Sequence, residues 1–123
     1  TTFAGETLSL AACQATLGVL RRPGCYETLK ETGRSLMQGL SDLSERHSVP
    51  VDVTGLESWF TVSVPGATKS GGAANALFNR RLLEQGIFCL GDWTITLSHG
   101  TREVEETLDA ADKALETVQG ELA

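Results

Sequence analysis

Apolar residues recur at helical spacing in four stretches of the chain, and the second stretch shows this most clearly. Its apolar positions are separated alternately by three and four residues, and most charged residues fall off that line. The spacing predicts an amphipathic helix with one buried face, ending at residues 47–50. Gly33 on that face indicates either a close crossing with a partner helix or a merely tolerated glycine. The positions on the face are Tyr26, Leu29, Gly33, Leu36, Leu40 and Leu43.

Three further helices follow from the same kind of pattern. We predict them at residues 5–20, at residues 74–85 with Gly86 as the C-cap, and from Thr101 onwards with Thr101 as the cap. Arg21-Arg22-Pro23-Gly24 ends the first of them, because proline cannot continue the hydrogen-bond ladder. The apolar positions are Leu8, Ala12, Ala15 and Val19; Ala74, Leu77, Phe78 and Leu82; and Val104, Leu108, Ala111, Leu115, Val118 and Leu122.

Four strands are predicted between these helices. Val51 and Val53 indicate one strand, and the alternating residues 59–64 indicate a second, with residues 54–57 joining them. Residues 87–90 and 93–97 are predicted to form a hairpin whose Gly91-Asp92 loop fits a type II′ turn. The order ααββαββα predicts an α+β domain with a mostly antiparallel sheet of four strands and helices packed on one side.

Composition and charge narrow the range of functions. A chain of 123 residues suits one domain. Sixteen acidic against ten basic residues give a net charge of -6, which argues against nucleic acid as a partner. No apolar run approaches the ~20 residues that span a bilayer, so no membrane partner is expected.

The three cysteines indicate a reducing compartment. Cys13, Cys25 and Cys89 form no CxxC pair and lie in or beside apolar patterns, so we expect buried, reduced thiols in a cytoplasmic protein. His47 and His99 show no ligand spacing to any cysteine, so no metal site is predicted.

No catalytic residue is predicted from the residues alone. His47 ends a helix, where a solvent-facing histidine is ordinary, and His99 is expected to help close the turn before the last helix. A Schiff-base lysine must be desolvated in a pocket. Lys30 and Lys113 fall on polar sides of helices, and Lys69 falls in the glycine-rich segment 65–72, which we interpret as a connector.

The chain opens on the apolar stretch TTFAGETLSLAAC. Natural termini are usually polar and poorly tied down. We therefore expect this stretch to be an interior segment of a longer protein.

Five motifs in order resemble class III pyridoxal-phosphate (PLP) aminotransferases over essentially the whole chain. "TTFAGETLSLAA" resembles the family's GTFSGNPLAMAA, and "GLESWFTVSV" resembles its GSMFTLFF strand. "LFNRRLLEQGIFCL" is similar to FFHALLERGVYL, and "TLSHGTREVEETLDAADKAL" to SLAHTEEDIDRTLEAAREAL. "LRRPGCYETLKETGRSLMQGL" resembles the paired helices of the C-terminal part. The resemblance is closest to the glutamate-1-semialdehyde aminomutase branch.

The resemblance implies that residues 1–123 form the C-terminal small domain of a fold-type I PLP enzyme, with residues 1–5 left from the cofactor loop of the large domain. It implies a homodimer that binds PLP and acts on an amino acid or amino-aldehyde. The Schiff-base lysine would lie in the large domain, upstream of Thr1. Thr2, with Thr1 beside it, maps to the residue that contacts the cofactor phosphate of the neighbouring subunit.

The chain also departs from the family's motifs. Glu6-Thr7 stands where the family has Asn-Pro, and this places a carboxylate beside the phosphate contact. Gly91-Asp92 replaces a longer loop that reaches toward the substrate, which leaves a plain aminotransferase or a divergent relative open beside an aminomutase. Two hypotheses follow: a domain of a PLP enzyme that is inactive when isolated, or a stand-alone α+β interaction module without catalysis.

Overall fold

The computed structural model describes residues 5–65, 71–89 and 91–122. The predicted α+β class is confirmed, since these residues form helices together with a small antiparallel sheet of strand order β1-β2-β3. The elements are α1 (Thr7–Leu20), α2 (Cys25–His47), β1 (Asp52–Leu56), β2 (Trp59–Ser63), α3 (Gly71–Glu84), β3 (Asp92–Thr94) and α4 (Thr101–Leu122).

The core lies between one face of the sheet and helices α2, α3 and α4. Along β2, Phe60 and Val62 are buried while Trp59 and Thr61 are exposed, as the alternation in the sequence predicts. Burial of the apolar faces of these helices against the apolar residues of the sheet removes their side chains from water, which favours folding. The most deeply buried large side chains are Leu40, Val49, Phe60, Val62, Val64, Phe78, Leu82, Leu115 and Val118.

The sheet has three strands rather than the predicted four. Residues 87–89 form no strand, and Leu90 lies outside the described residues. Phe88 is 71% exposed, whereas its neighbours Ile87 and Cys89 are partly buried against the core. The strand predicted at residues 93–97 ends at Thr94, and the order along the chain is ααββαβα.

β3 pairs with β2 instead of with residues 87–90. Phe60 lies opposite Trp93, and the centroids of their rings are 5.9 Å apart. Asp92, which we predicted in a two-residue turn, is the first residue of β3 and accepts a hydrogen bond of 3.3 Å from the Thr61 hydroxyl. The aromatic contact in the core favours this pairing over a local hairpin.

β1 and β2 are joined by a tighter turn than the sequence pattern predicts. Residues 54–56 belong to β1, and only Glu57 and Ser58 form the turn. Leu56 therefore lies directly opposite Trp59 at the end of the ladder.

α2 approaches its neighbours closely at two glycines. A Cβ atom added to Gly33 would overlap the backbone carbonyl of Glu57, so this glycine meets the β1–β2 turn and not a helix. The close helix contact occurs six residues further on, where Gly39 faces the side chain of Leu108 in α4. Of the two interpretations of Gly33, the one that requires a close approach is right, but the glycine approaches a turn and not the predicted partner helix.

The end of α3 follows the predicted C-cap. Gly86 has a φ of +86°, a conformation that favours glycine. The backbone N–H of Ile87 donates to the carbonyl of Leu82 at 2.9 Å, which satisfies a carbonyl in the last turn.

The start of α4 differs from the predicted cap. Thr101 is the first helical residue, and the carbonyl of the preceding Gly100 accepts from Val104 N at 3.2 Å. The side chain of Glu103 accepts a 2.9 Å hydrogen bond from the Gly100 N–H. Gly100 therefore has the cap position, and Glu103 does the capping that we assigned to Thr101.

α1 forms close to where it is predicted, but its apolar residues do not enter the core. None of its residues is buried. Leu8 is 76% exposed, Ala12 and Ala15 are also exposed, and only Val19 and Leu20 are half-buried. The expectation that this helix packs on the sheet with the others is wrong for the described residues.

Replacing Gly33 with alanine should destabilise the chain by about 2 kcal/mol or more, because the new methyl group forces the β1–β2 turn away from α2. Urea unfolding followed by circular dichroism measures the change. Gly18→Ala is the matched control, since a Cβ at Gly18 meets nothing within 4 Å and alanine favours helix by up to about 1 kcal/mol. Equal stability of Gly33→Ala and the parent chain would contradict the close approach.

Candidate functional site

Thr1 and Thr2, the two residues that the resemblance assigns to a cofactor phosphate, lie outside the described residues. Their role stays a prediction. The description begins at Gly5, immediately before the residue that starts α1.

Glu6 caps α1 through its own side chain. One carboxylate oxygen accepts from the backbone N–H of Leu8 at 2.8 Å, and the other accepts from the N–H of Ser9 at 2.7 Å. The Ser9 hydroxyl donates to the same carboxylate at 2.7 Å. The helix N-terminus attracts negative charge, and the carboxylate of Glu6 supplies it.

These contacts keep Glu6 ionised. The hydrogen bond from the Ser9 side chain, followed by those from the backbone N–H groups of Leu8 and Ser9, lowers the pKa of Glu6 below its ordinary value. A phosphate at the same place would compete with a bound carboxylate and be repelled by its charge. The N-terminus of α1 therefore does not fit a cofactor phosphate.

The described lysines do not fit a Schiff-base role. Lys30 is exposed on α2, and Lys113 is exposed on α4, where its amino group lies 2.5 Å from the carboxylate of Asp109. Lys69 lies outside the described residues. A lysine that reacts with a carbonyl needs a desolvated setting, and the two described lysines have none.

A cavity of about 280 Å³ lies between α2, the segment before β3 and the start of α4. Cys89, Trp93 and His99 contribute to its lining. Burial raises the pKa of the Cys89 thiol, which disfavours the reactive thiolate. The indole N–H of Trp93 is buried and finds no acceptor among the described residues.

The polar groups around this cavity are held by the local backbone. His99 accepts a hydrogen bond of 3.2 Å at Nδ1 from the N–H of Thr96, which confirms its predicted role in closing the turn. The backbone N–H of Gly100, followed by the guanidinium of Arg102, lowers the pKa of Glu103 to about 2. The side chain of His99 stabilises the turn and that of Glu103 caps the helix, and we assign neither a catalytic role.

His47 links α2 to α4, whereas the sequence analysis expected it to face solvent. Its side chain is only 13% exposed, and Nε2 lies 2.6 Å from a carboxylate oxygen of Asp112. Arg46 Nη1 lies 3.3 Å from the same oxygen. The hydrogen bond with His47 is the largest cause that lowers the pKa of Asp112, and the charge of Arg46 adds to it.

The cysteines are free, but they are not equally buried. Cys25 is buried, Cys89 is half-buried and Cys13 is exposed on α1. The expectation of buried thiols is therefore right for Cys25 and wrong for Cys13 in the described structure.

Among the described residues, exposed apolar side chains are grouped at two places in particular. One is α1, whose Leu8, Leu10 and Leu17 are 76%, 58% and 44% exposed. The other is the end of the β1–β2 ladder, where Leu56 and Trp59 lie opposite each other and are 69% and 61% exposed. Exposed apolar patches of this kind mark contact surfaces.

Within the described part of the chain, no helix has the length and apolar character needed to cross a membrane.

Comparison with known proteins gives the fold a context. No model of a known protein family matches the chain. A transaminase with PLP bound matches it with a TM-score of 0.73 and 27% identity, over 83% of this chain and 25% of that one. The FumI protein of Sphingopyxis sp. MTA144, in its PLP internal aldimine form, matches with a TM-score of 0.75 and 27% identity. The match covers 88% of this chain and 26% of that one.

An omega-transaminase from Sphaerobacter thermophilus has a TM-score of 0.72 and 24% identity, over 80% of this chain and 25% of that one, and it supports the fold alone. The chain thus spans about a quarter of the length of these structures. It is similar to one part of a PLP-dependent transaminase.

Replacing Asp112 with asparagine should reduce the loss of unfolding free energy that the chain shows as the pH falls. Because the pKa of Asp112 is lowered in the folded state, its contribution is complete above the ordinary value of 3.8 and is lost as the pH falls through the lower folded value. Urea unfolding at stepped pH measures this. Asp109→Asn, which breaks only an exposed pair within α4, is the control and should keep the parental profile. Parallel acid profiles of Asp112→Asn and the parent would refute the pairing.

Proposed function

We propose that this chain is the C-terminal small domain of a larger PLP-dependent aminotransferase. The observation that carries the proposal is the match to two PLP proteins at 27% identity over more than four-fifths of this chain but only about a quarter of theirs. The five motifs in the sequence support the same family. In this proposal residues 1–123 are one domain, and residues 1–5 come from the cofactor loop of the large domain.

The proposal assigns the chemistry to the rest of the protein. When bound, PLP supplies an electron sink for reactions at the carbon that bears the amino group. In this proposal the described residues supply neither the Schiff-base lysine nor a phosphate contact at the start of α1, because Lys30 and Lys113 are exposed and the Glu6 carboxylate accepts hydrogen bonds from the N–H groups there. The Schiff-base lysine would then belong to the large domain, and this chain alone would be inactive.

What this chain adds is a supporting surface beside the cofactor. We retain Thr2, with Thr1 beside it, as the proposed contact with the cofactor phosphate. Since Glu6 places its carboxylate on the N-terminus of α1, the proposed contact is made by the residues before the helix and not by the helix end. The whole protein is proposed to be a cytoplasmic homodimer that acts on an amino acid or amino-aldehyde.

The finer assignment is to the glutamate-1-semialdehyde aminomutase branch, with a plain aminotransferase as its competitor. The motif resemblance supports the aminomutase. The short segment at Gly91-Asp92 favours the aminotransferase, because Asp92 lies in β3 and bonds to Thr61 and is therefore not part of a loop reaching for substrate.

A stand-alone interaction module is the second candidate function. The exposed apolar surface of α1 favours it, because such a surface binds a protein partner whether or not the partner is a catalytic domain.

We expect PLP to bind the longer natural protein that contains these residues and not the 123-residue chain alone. Both are incubated with PLP, reduced with borohydride and digested, and the modified lysine is located by mass spectrometry. The adduct should lie on one lysine outside residues 1–123. Circular dichroism checks that the short chain is folded, and free lysine competitor removes nonspecific adducts.

Two results would overturn the proposal. One is a specific adduct on Lys30, Lys69 or Lys113 of the short chain. The other is a natural protein that has no large domain or binds no PLP, which would favour the interaction module.

A further inference from the structure

α1 carries no charged residue between Thr7 and Leu20, although the chain has 26 charged residues among 123. The nearest charges are Glu6 and Arg21, immediately outside the helix. None of the residues of α1 is buried in the described structure. A helix of 14 residues, about 21 Å long, is thus apolar and exposed in a protein that is otherwise acidic.

The apolar character of α1 is not confined to one face. At about 100° per residue, Leu8, Ala12 and Ala15 lie on one side, whereas Leu10 and Leu17 lie on the opposite side. The leucines of both sides are strongly exposed. α2, in contrast, is amphipathic, with Leu36, Leu40 and Leu43 buried on one line and charged residues elsewhere.

Two of the three hydroxyl groups of α1 are already bonded within the helix and its cap. The Thr16 side chain donates to the carbonyl of Ala12 at 2.9 Å, and the Ser9 hydroxyl donates to Glu6 at 2.7 Å. Such groups enter a dry environment without losing a hydrogen bond. A helix that has no charged residue and exposes leucines on opposite sides has a composition typical of a buried helix.

We infer that α1 is enclosed on both its Leu8 side and its Leu17 side by the remaining part of a longer polypeptide, as an inserted helix and not one laid on a single surface. This rests on the proposed function. The length of the similar proteins points to what covers α1. About three-quarters of the chain of each similar structure lies outside the part that matches this chain, so a longer protein of this kind has enough polypeptide to enclose the helix. A second copy pairing through α1 would cover one side and leave the opposite leucines in water.

Thiol labelling of the full-length protein tests the enclosure. Cys13 lies on the flank of the Leu17 side, and Glu116→Cys places a reference thiol on the exposed side of α4. N-ethylmaleimide labelling is followed at each position by peptide mass spectrometry. Cys13 should react more slowly than the reference by on the order of a hundredfold, since labelling requires local opening. Equal rates would overturn the inference.

Substitutions on the two sides separate insertion from one-sided docking. Leu8→Glu and Leu17→Glu should each accelerate Cys13 labelling and lower the melting temperature of the full-length protein. Gln119→Glu adds the same charge at an exposed position of α4 and should change neither. If the Glu variants fail to fold, Leu8→Ala and Leu17→Ala should show the same accelerations with smaller shifts.

The remaining outcomes are distinct. An effect at only one of the two leucines means that α1 lies on a single surface and refutes insertion. If the protection of Cys13 disappears on dilution, a second copy of the protein covers α1, and this result also refutes insertion. PLP binding by the same preparation is scored separately: binding with an unprotected Cys13 refutes the enclosure alone, and a protected Cys13 without binding refutes the proposed function alone.

Discussion

The architecture depends on how closely α2 approaches the turn between β1 and β2. At Gly33 the backbone of the helix lies against the carbonyl of Glu57, with no room for a side chain. This contact brings α2 directly against the β1–β2 turn, so a larger residue at position 33 would push the helix and the turn apart. Arg34, the next residue, reaches Glu57 with a guanidinium nitrogen 3.2 Å from its carboxylate, so polar and steric constraints act at the same place.

α4 is positioned by small residues and by a polar tie at its middle. Ala111 and Ala114 are completely buried, and Gly39 of α2 faces Leu108, so that the two helices pack closely. The pair formed by His47 and Asp112 connects the end of α2 to α4. Close packing restricts the separation of the helices, and the directional polar contact restricts sliding along them.

The sequence pattern predicted the helices well because each of them carries a periodic apolar face or clear end signals. It did not reveal where each face finds its partner. The fourth strand was predicted from an apolar run at residues 87–90, yet pairing in a sheet depends on residues distant in the chain, and here β3 pairs with β2, with Phe60 opposite Trp93. The tie of His47 to Asp112 spans 65 positions and leaves no local signal.

The candidate site was predicted mostly through resemblance, since its proposed contacts Thr1 and Thr2 carry no pattern of their own. The capping role of Glu6 was within reach of the sequence, because an acidic residue just before a helix is a recognised start signal. The exposure of α1 was also signalled. Its apolar residues fall on opposite sides, which does not suit a helix lying on one sheet, and our prediction used only one of those sides.

The two tryptophans of the chain occupy contrasting environments. Trp93 is 6% exposed beside Phe60, whereas Trp59 is 61% exposed on the open face of the sheet. Their fluorescence therefore reports on separate events in one molecule: the emission of Trp93 follows the integrity of the interior, and that of Trp59 follows whatever approaches the sheet from outside. The chain carries an internal optical probe of assembly that needs no added label.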